Sequence, residues 1–329
     1  MLARTLEMLR CTSCGGSFAL EDGASSDPVE EGALLCKGCG ARAPVVGGIP
    51  RFVPPENYAA NFGTQWKRFA ELQVDRLQND TRSTDRFFSQ SGLRPEALRG
   101  MRVLEAGCGG GRFTDVALQA GAEVFAVDLS AAVEKNRDLH PGESRLHLIQ
   151  ASILDIPLQR EAFDLVFCFG VLQHTPDPAA TFRALLPFVK PGGRLAVDVY
   201  AAHPKQTLHW KYALRPLTRR MPPERLLAHI ERATPPLLAA ARRLRGVPKL
   251  GKALSRLVPL KLHDGFMGRY PQEVEERWAI LETFDAYAPA YDRPRARRTV
   301  ERWFERAGFE HVTTWCVANG LNCGYGDRP

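Results

Sequence analysis

Between residues 101 and 128 the chain reads MRVLE, AGCGGG, RFTDVALQAG, then EVFAVD. The first run is short and apolar, suited to a buried parallel strand, and the stretch from Arg112 has the pattern of a helix. Glycines between a strand and a helix let the backbone approach a ligand closely and aim helix N-terminal amides at it. The second strand ends in Asp128, one helix after the glycines, where a carboxylate can accept both hydroxyls of a ribose. Few architectures accommodate this succession, and the expected fold is α/β with a mostly parallel sheet. A dinucleotide fingerprint would need a third glycine where Arg112 stands; the glycines fall instead at 107, 109, 110 and 111.

Further segments continue the alternation. LHLIQASILDIPL (146–158) and FDLVFCFGVLQHTPDP (163–178) read as a third and a fourth strand with their loops. FRALLPFVKPGGRLAVDVY (182–200) reads as a helix, a Lys-Pro-Gly-Gly turn and a fifth strand. TVERWFERAGFEHVTTWCV and LNCGYG read as a last helix and a terminal hairpin. Together with VLEAGCGGGR, these segments resemble the class I S-adenosylmethionine-dependent methyltransferases in order and spacing. The resemblance implies a Rossmann-like seven-stranded core and S-adenosyl-L-methionine as cofactor. The implied cofactor contacts are Glu105, Gly107, Gly109 and Gly111, then Asp128 and Leu129, Ser152 and Ile153, and Phe169. Ser152 stands where the family often has an acid facing the adenine amine, and a hydroxyl accepts that hydrogen bond more weakly. Asp155 reads as a local cap.

The cysteines add a second module. Cys11-Thr-Ser-Cys14 and Cys36-Lys-Gly-Cys39 are two knuckles that together offer four soft ligands for a closed tetrahedral zinc site. A site closed by four sulfurs is structural, with no position left for water or substrate. Followed by GGIPRF, the arrangement resembles the Trm112-like zinc ribbons, small domains fused to or paired with methyltransferases. The other four cysteines, Cys108, Cys168, Cys316 and Cys323, read as small buried fillers. The expected organisation is a ribbon over 1–54, a helical lid over 55–99, and a core over 100–329 interrupted by a helical cap at about 201–296.

Methyl transfer from a sulfonium needs alignment and, for some acceptors, removal of a proton. His174, just past the fourth strand at the ligand-binding edge, is the candidate base; a turn-capping role is the alternative. In the N-terminal lid, Tyr58, Phe62 and Trp66 are candidates to cover the cofactor, with Gln65 or Arg68 reaching its carboxylate. In the cap, FDAYAPAYD offers Asp285 and Tyr287 as further catalytic candidates and Tyr291 as pocket wall. His203, His209, His263 and Asp264 are additional titratable residues there. Prolines 235, 236, 248 and 259 are expected to delimit short helices.

Charge is unevenly spread: residues 201–300 hold 20 Lys or Arg against 9 Asp or Glu. An RNA surface would interleave aromatics with arginines, yet residues 213–262 contain no Phe, Trp or Tyr. The ribbon is not basic either, which weighs against an RNA base methyltransferase, although a ribbon ahead of this core also resembles a bacterial ribosomal RNA guanine methyltransferase. A non-catalytic scaffold and a lipid methyltransferase on a membrane surface are two further alternatives. The favoured reading is a cytoplasmic enzyme with a small or medium-sized, possibly anionic, acceptor. No window has the length of apolar sequence that a membrane-spanning helix needs.

Overall fold

The computed structural model describes residues 1–21, 27–54, 57–202, 210–262, 270–317 and 320–329, with only the backbone of Ala60 and Lys252. His203, His209, His263 and Asp264 lie outside the described residues.

The chain opens with helix α1 (Ala3–Met8) and a four-stranded antiparallel sheet, β1 (Phe18–Leu20), β2 (Gly32–Cys36), β3 (Arg42–Val46) and β4 (Ile49–Pro50). Three helices follow: α2 (Ala60–Phe69), α3 (Asp75–Gln78) and α4 (Arg82–Ser91). The main sheet begins with β5 (Arg102–Ala106), and α5 (Arg112–Gln119), β6 (Glu123–Asp128), α6 (Ala132–Leu139), β7 (Leu146–Gln150) and β8 (Phe163–Cys168) continue it. After α7 (Pro178–Leu185), capped at its N-terminus by the Asp177 carboxylate, comes the long β9 (Val189–Tyr200). The cap holds α8 (Trp210–Thr218), α9 (Pro223–Arg245), α10 (Gly251–Leu254) and α11 (Gln272–Tyr287). Helix α12 (Arg297–Arg306) and the hairpin β10 (Glu310–Val317) and β11 (Leu321–Asp327) close the chain.

The seven strands lie in the order β10-β11-β9-β8-β5-β6-β7. Strands β5 to β9 are parallel, and β11 joins β9 antiparallel. The expected Rossmann-like class I core is present. Its parallel strands are buried on both faces, which is why they read as continuous apolar runs rather than alternating ones. Strand order reverses at β5 and β8, and ligands bind in such sheets above the strand ends at that point. The Lys-Pro-Gly-Gly bend lies within the course of β9, whose register against β8 shifts between Phe163 and Leu165.

The small sheet packs on the free edge of β7. Leu9 bridges to Leu158 and Arg51 to Gln150. Met8, Leu9, Leu34 and Val45 belong to the same buried cluster as Leu104 and Phe125. The cap is bound to the N-terminal helices in the same way: Phe69 and Leu72 share a core with Leu226, Ile230, Trp278 and Phe284. One expectation fails here. Helix α9 runs through Pro235 and Pro236 without a break.

Candidate active site and four-cysteine cluster

The glycine loop leaves β5 at Ala106 and enters α5 at Arg112. Gly107 has φ +87, and a Cβ there would stand 2.5 Å from Val171 Cγ2 in the loop after β8. Gly109 has φ +50, and its Cβ would meet the Trp66 indole at 2.8 Å. A side chain at either position would therefore push away one wall of the site. Asp128, at the end of β6, faces the loop. One carboxylate oxygen accepts the Gly109 N–H at 2.8 Å; the other accepts Ser130 N–H at 2.8 Å and Ser130 hydroxyl at 2.7 Å. A carboxylate offers about four acceptor positions, so one remains. Burial raises the Asp128 pKa, and the Ser130 and Gly109 hydrogen bonds oppose that rise.

Above the strand ends lies a cavity of about 1840 Å³. Its floor includes Gly107, Gly109, Asp128, Leu129, Ile153 and Phe169; its roof includes Tyr58, Phe62, Gln65 and Trp66 from the N-terminal helical region. The cap adds Lys211, Lys261, Glu282 and Asp285. Most expected cofactor residues thus share one space.

His174 also lines this cavity and is 6% exposed. Its ring packs against Phe62 and Tyr200, each at 5.3 Å between centroids. His174 Nδ1 lies 3.1 Å from the Tyr291 carbonyl. A carbonyl only accepts, so Nδ1 carries the hydrogen and Nε2 of the neutral ring keeps its lone pair. Beside it, the Tyr200 hydroxyl donates to Asp285 at 2.9 Å, and Gln65 Nε2 donates to the other Asp285 oxygen at 3.4 Å. Asp285 thereby joins the cap, the N-terminal helix and β9 at one carboxylate. The Gln65 Oε1 atom is buried without a partner. Burial, then Asp285, drives the Tyr200 phenol well above its ordinary range.

Several expected residues are placed elsewhere. Tyr287 does not line the cavity: its ring is 3% exposed in the cap core, and its hydroxyl donates to the Pro259 carbonyl at 3.1 Å. Glu105 lies beneath the glycine loop, 2% exposed, accepting the Thr114 hydroxyl. Gly111 begins α5 with its Cα facing Asn136 and His140 rather than the cavity. The Ser152 hydroxyl accepts Leu154 N–H at 3.2 Å, a turn contact, while Asp155 is exposed. Arg68 pairs with Glu231 on the surface. Cys108, Cys168 and Cys323 are buried as expected, whereas Cys316 is exposed on the cavity rim.

Sequence reasoning passed over Tyr200, Lys211, Lys261 and Arg112. Tyr200 had a readable signal, a polar residue at the C-terminal end of a parallel strand. Arg86 and Asp198 were missed as well. They form an ion pair at 2.6 Å in which Asp198 is buried and Arg86 half-buried, and Asp198 also accepts Gly170 N–H, fixing the loop after β8.

The four ribbon cysteines converge. Their sulfurs all lie within 4.8 Å of one another, with Cys11 to Cys39 at 3.6 Å and Cys14 to Cys36 at 3.5 Å. Zinc–sulfur bonds of about 2.3 Å place tetrahedral sulfurs about 3.8 Å apart, so this donor set fits such an ion. Backbone amides of Cys39 and Gly38 lower the Cys36 thiol pKa, while that of its neighbour Cys14 is raised.

Residues 104–197 match the family model described as a methyltransferase domain. The match spans under a third of the chain. Curated relatives match over about a third of the chain. The ubiquinone biosynthesis O-methyltransferase of Stutzerimonas stutzeri is 37% identical over 33% of this chain and 48% of its own length. That of Xylella fastidiosa strain 9a5c is 43% identical over 31% of this chain and 42% of its own. The chain thus spans about half the length of the curated relatives it matches. A solved S-adenosylmethionine-dependent methyltransferase from Mesorhizobium loti aligns with 73% of this chain and 96% of its own at 19% identity and a TM-score of 0.42. The methyltransferase domain supplies the glycine loop, Asp128, His174 and most of β9. The four-cysteine sheet and the cap lie outside the matched residues.

Proposed function

We propose that the protein transfers the methyl group of S-adenosyl-L-methionine to an oxygen atom of a small or medium-sized metabolite, with His174 as general base. The observation that carries this reading is one cavity with the glycine loop and Asp128 on one wall and a tautomer-fixed His174 on another. Hydroxyl acceptors are favoured because such a base is what a hydroxyl needs, and because the matched relatives are named O-methyltransferases.

The cofactor supplies a sulfonium methyl, an electrophile with a good leaving group. Asp128 would accept one ribose hydroxyl at its remaining acceptor position, while Leu129, Ile153 and Phe169 would give apolar cover to the adenine. The free Gln65 atom is an oxygen; it suits the ammonium of the methionine part rather than its carboxylate. Trp66 and Phe62 close the roof and exclude water. His174 takes the acceptor proton on Nε2, and the Tyr291 carbonyl steadies the imidazolium through Nδ1–H. Cys11, Cys14, Cys36 and Cys39 hold a structural zinc ion.

The test is transfer of labelled methyl from S-adenosylmethionine into a library of phenols, catechols and hydroxy acids, with products identified by mass. An O-methyl product is expected, its kcat about 100-fold lower in His174→Gln, within the range of general base catalysis, and affinity for S-adenosylhomocysteine unchanged. N-methyl products only, or normal turnover in that variant, would contradict the proposal.

A further inference from the structure

We infer that the cap docks on the surface of an anionic lipid bilayer through the outer face of α8. The inference goes beyond the methyl-transfer reading and does not depend on it.

Helix α8 is built inside out. At about 100° per residue, Trp210, Ala213, Pro216 and Leu217 fall within an arc of about 120°. All four are exposed, Leu217 at 67% and Trp210 at 41%. The polar residues of the helix point inward. Lys211 pairs with Asp292 at 2.8 Å, and the Thr218 hydroxyl donates to the Tyr287 carbonyl at 2.9 Å. Between them, the Arg215 guanidinium donates to the Ala286 and Pro289 carbonyls at 3.3 and 2.8 Å. A surface helix normally does the reverse, burying its apolar stripe. These inward bonds fix the rotation of the helix, so its apolar face cannot turn in. Leu257, 62% exposed, extends that face, since its carbonyl accepts the Trp210 indole N–H at 3.0 Å.

Charge identifies what covers it. Arg219 and Arg220 continue from the C-terminal end of α8 and Arg256 precedes Leu257; all three are exposed. Residues 210–262 hold thirteen Lys or Arg against two acids. Those acids face other partners: Glu224 accepts the Thr64 hydroxyl at 3.0 Å, and Glu231 pairs with Arg68 at 3.2 Å. A second copy docked by the same face would bring the same cations and no acid to meet them. An anionic bilayer supplies both missing partners, acyl carbon for Trp210, Leu217 and Leu257 and headgroup phosphates for the arginines. Trp210, Arg256 and Leu257 also line the cavity, which therefore reaches the surface at the docking face.

The test is flotation of the full chain with vesicles of phosphatidylcholine alone, or of equal parts phosphatidylcholine and phosphatidylglycerol. The chain should float with the mixed vesicles and partition about 100-fold more weakly onto phosphatidylcholine, as three cations at about fivefold each imply. High salt should weaken the binding. Leu217→Ser combined with Leu257→Ser should lower partitioning onto mixed vesicles about tenfold, and Arg219→Glu combined with Arg220→Glu by at least as much. Leu77→Ser, at an exposed leucine of α3 outside the cap, should change nothing. No flotation with mixed vesicles, equal partitioning onto the two lipids, or binding that every variant retains would overturn the inference. In a chain that does not float, self-association lost on the leucine changes would assign the face to a second copy instead. RNA binding lost on the arginine reversals would likewise assign it to a nucleic acid.

Discussion

At Glu105 the effects of burial are sharpest. The carboxyl sits under the glycine loop where water does not reach, and burial pushes it up to about 8, with the Thr114 hydrogen bond opposing and Asp128 adding to the rise. An unfolded glutamate titrates near 4.5. Between these values the folded chain holds a proton that the unfolded chain releases, so stability attributable to this group falls as pH rises. Urea unfolding at pH 5 and pH 8 should therefore show Glu105→Gln losing less stability than the wild type, by on the order of 3 kcal/mol. Parallel pH dependence in the two proteins would show that Glu105 is ionised when folded. The same residue shows where motif reading stops. Its position in VLEAGCGGG was legible, but whether a side chain on a buried strand faces ligand or lies beneath the loop depends on packing. Tyr287 and Tyr200 repeat the lesson. One tyrosine stood out in an unusual phrase and is a core residue, while the other ended an ordinary strand and faces the cavity.

Among the elements, those whose signals are local were readable and those held by distant partners were not. The strand–glycine–helix unit, the Asp128 strand end and the two cysteine knuckles each occupy short stretches of chain. Helix α9 was not legible, because prolines normally end a helix by removing an N–H and crowding the preceding turn. Here Leu226, Leu227 and Ile230 pack into the cap core on one side of the proline pair, and Leu238 and Ala241 into a second cluster with Val258 and Leu260 on the other. Burial along a single face keeps the helix continuous, and the prolines mark the border between two packing units. The four-cysteine sheet carries its own prediction. Because it shares a buried cluster with the main sheet and bridges Gln150, stripping the proposed zinc should not act on the ribbon alone. Chelation should raise hydrogen exchange in β1–β4 and also in β7, while β9 and β11 stay protected. Exchange confined to the first 50 or so residues would mean that the two sheets are energetically separate. Absence of one bound zinc per chain in freshly purified protein would remove the zinc assignment altogether.

For the molecule as a whole, the cavity exists only because three parts of the chain meet. Gln65 reaches Asp285 across 220 residues of sequence and Tyr200 reaches it across 85, contacts that no window of sequence can display. The wall built by the methyltransferase domain was legible from its motifs, and Tyr58, Phe62, Gln65 and Trp66 were legible as roof candidates; what the cap adds through Lys211, Lys261 and Glu282 comes from tertiary assembly. Among the described residues no helix is long and apolar enough to cross a membrane. The account stands or falls on whether this composite cavity takes the cofactor. Calorimetric titration of S-adenosylhomocysteine into the full chain and into Asp128→Ala tests it most directly. One site per chain is predicted, with affinity reduced by about 10- to 100-fold in the variant, as expected for loss of a charged hydrogen-bond acceptor. No binding to the wild-type chain, or equal affinity in the two proteins, would contradict the account.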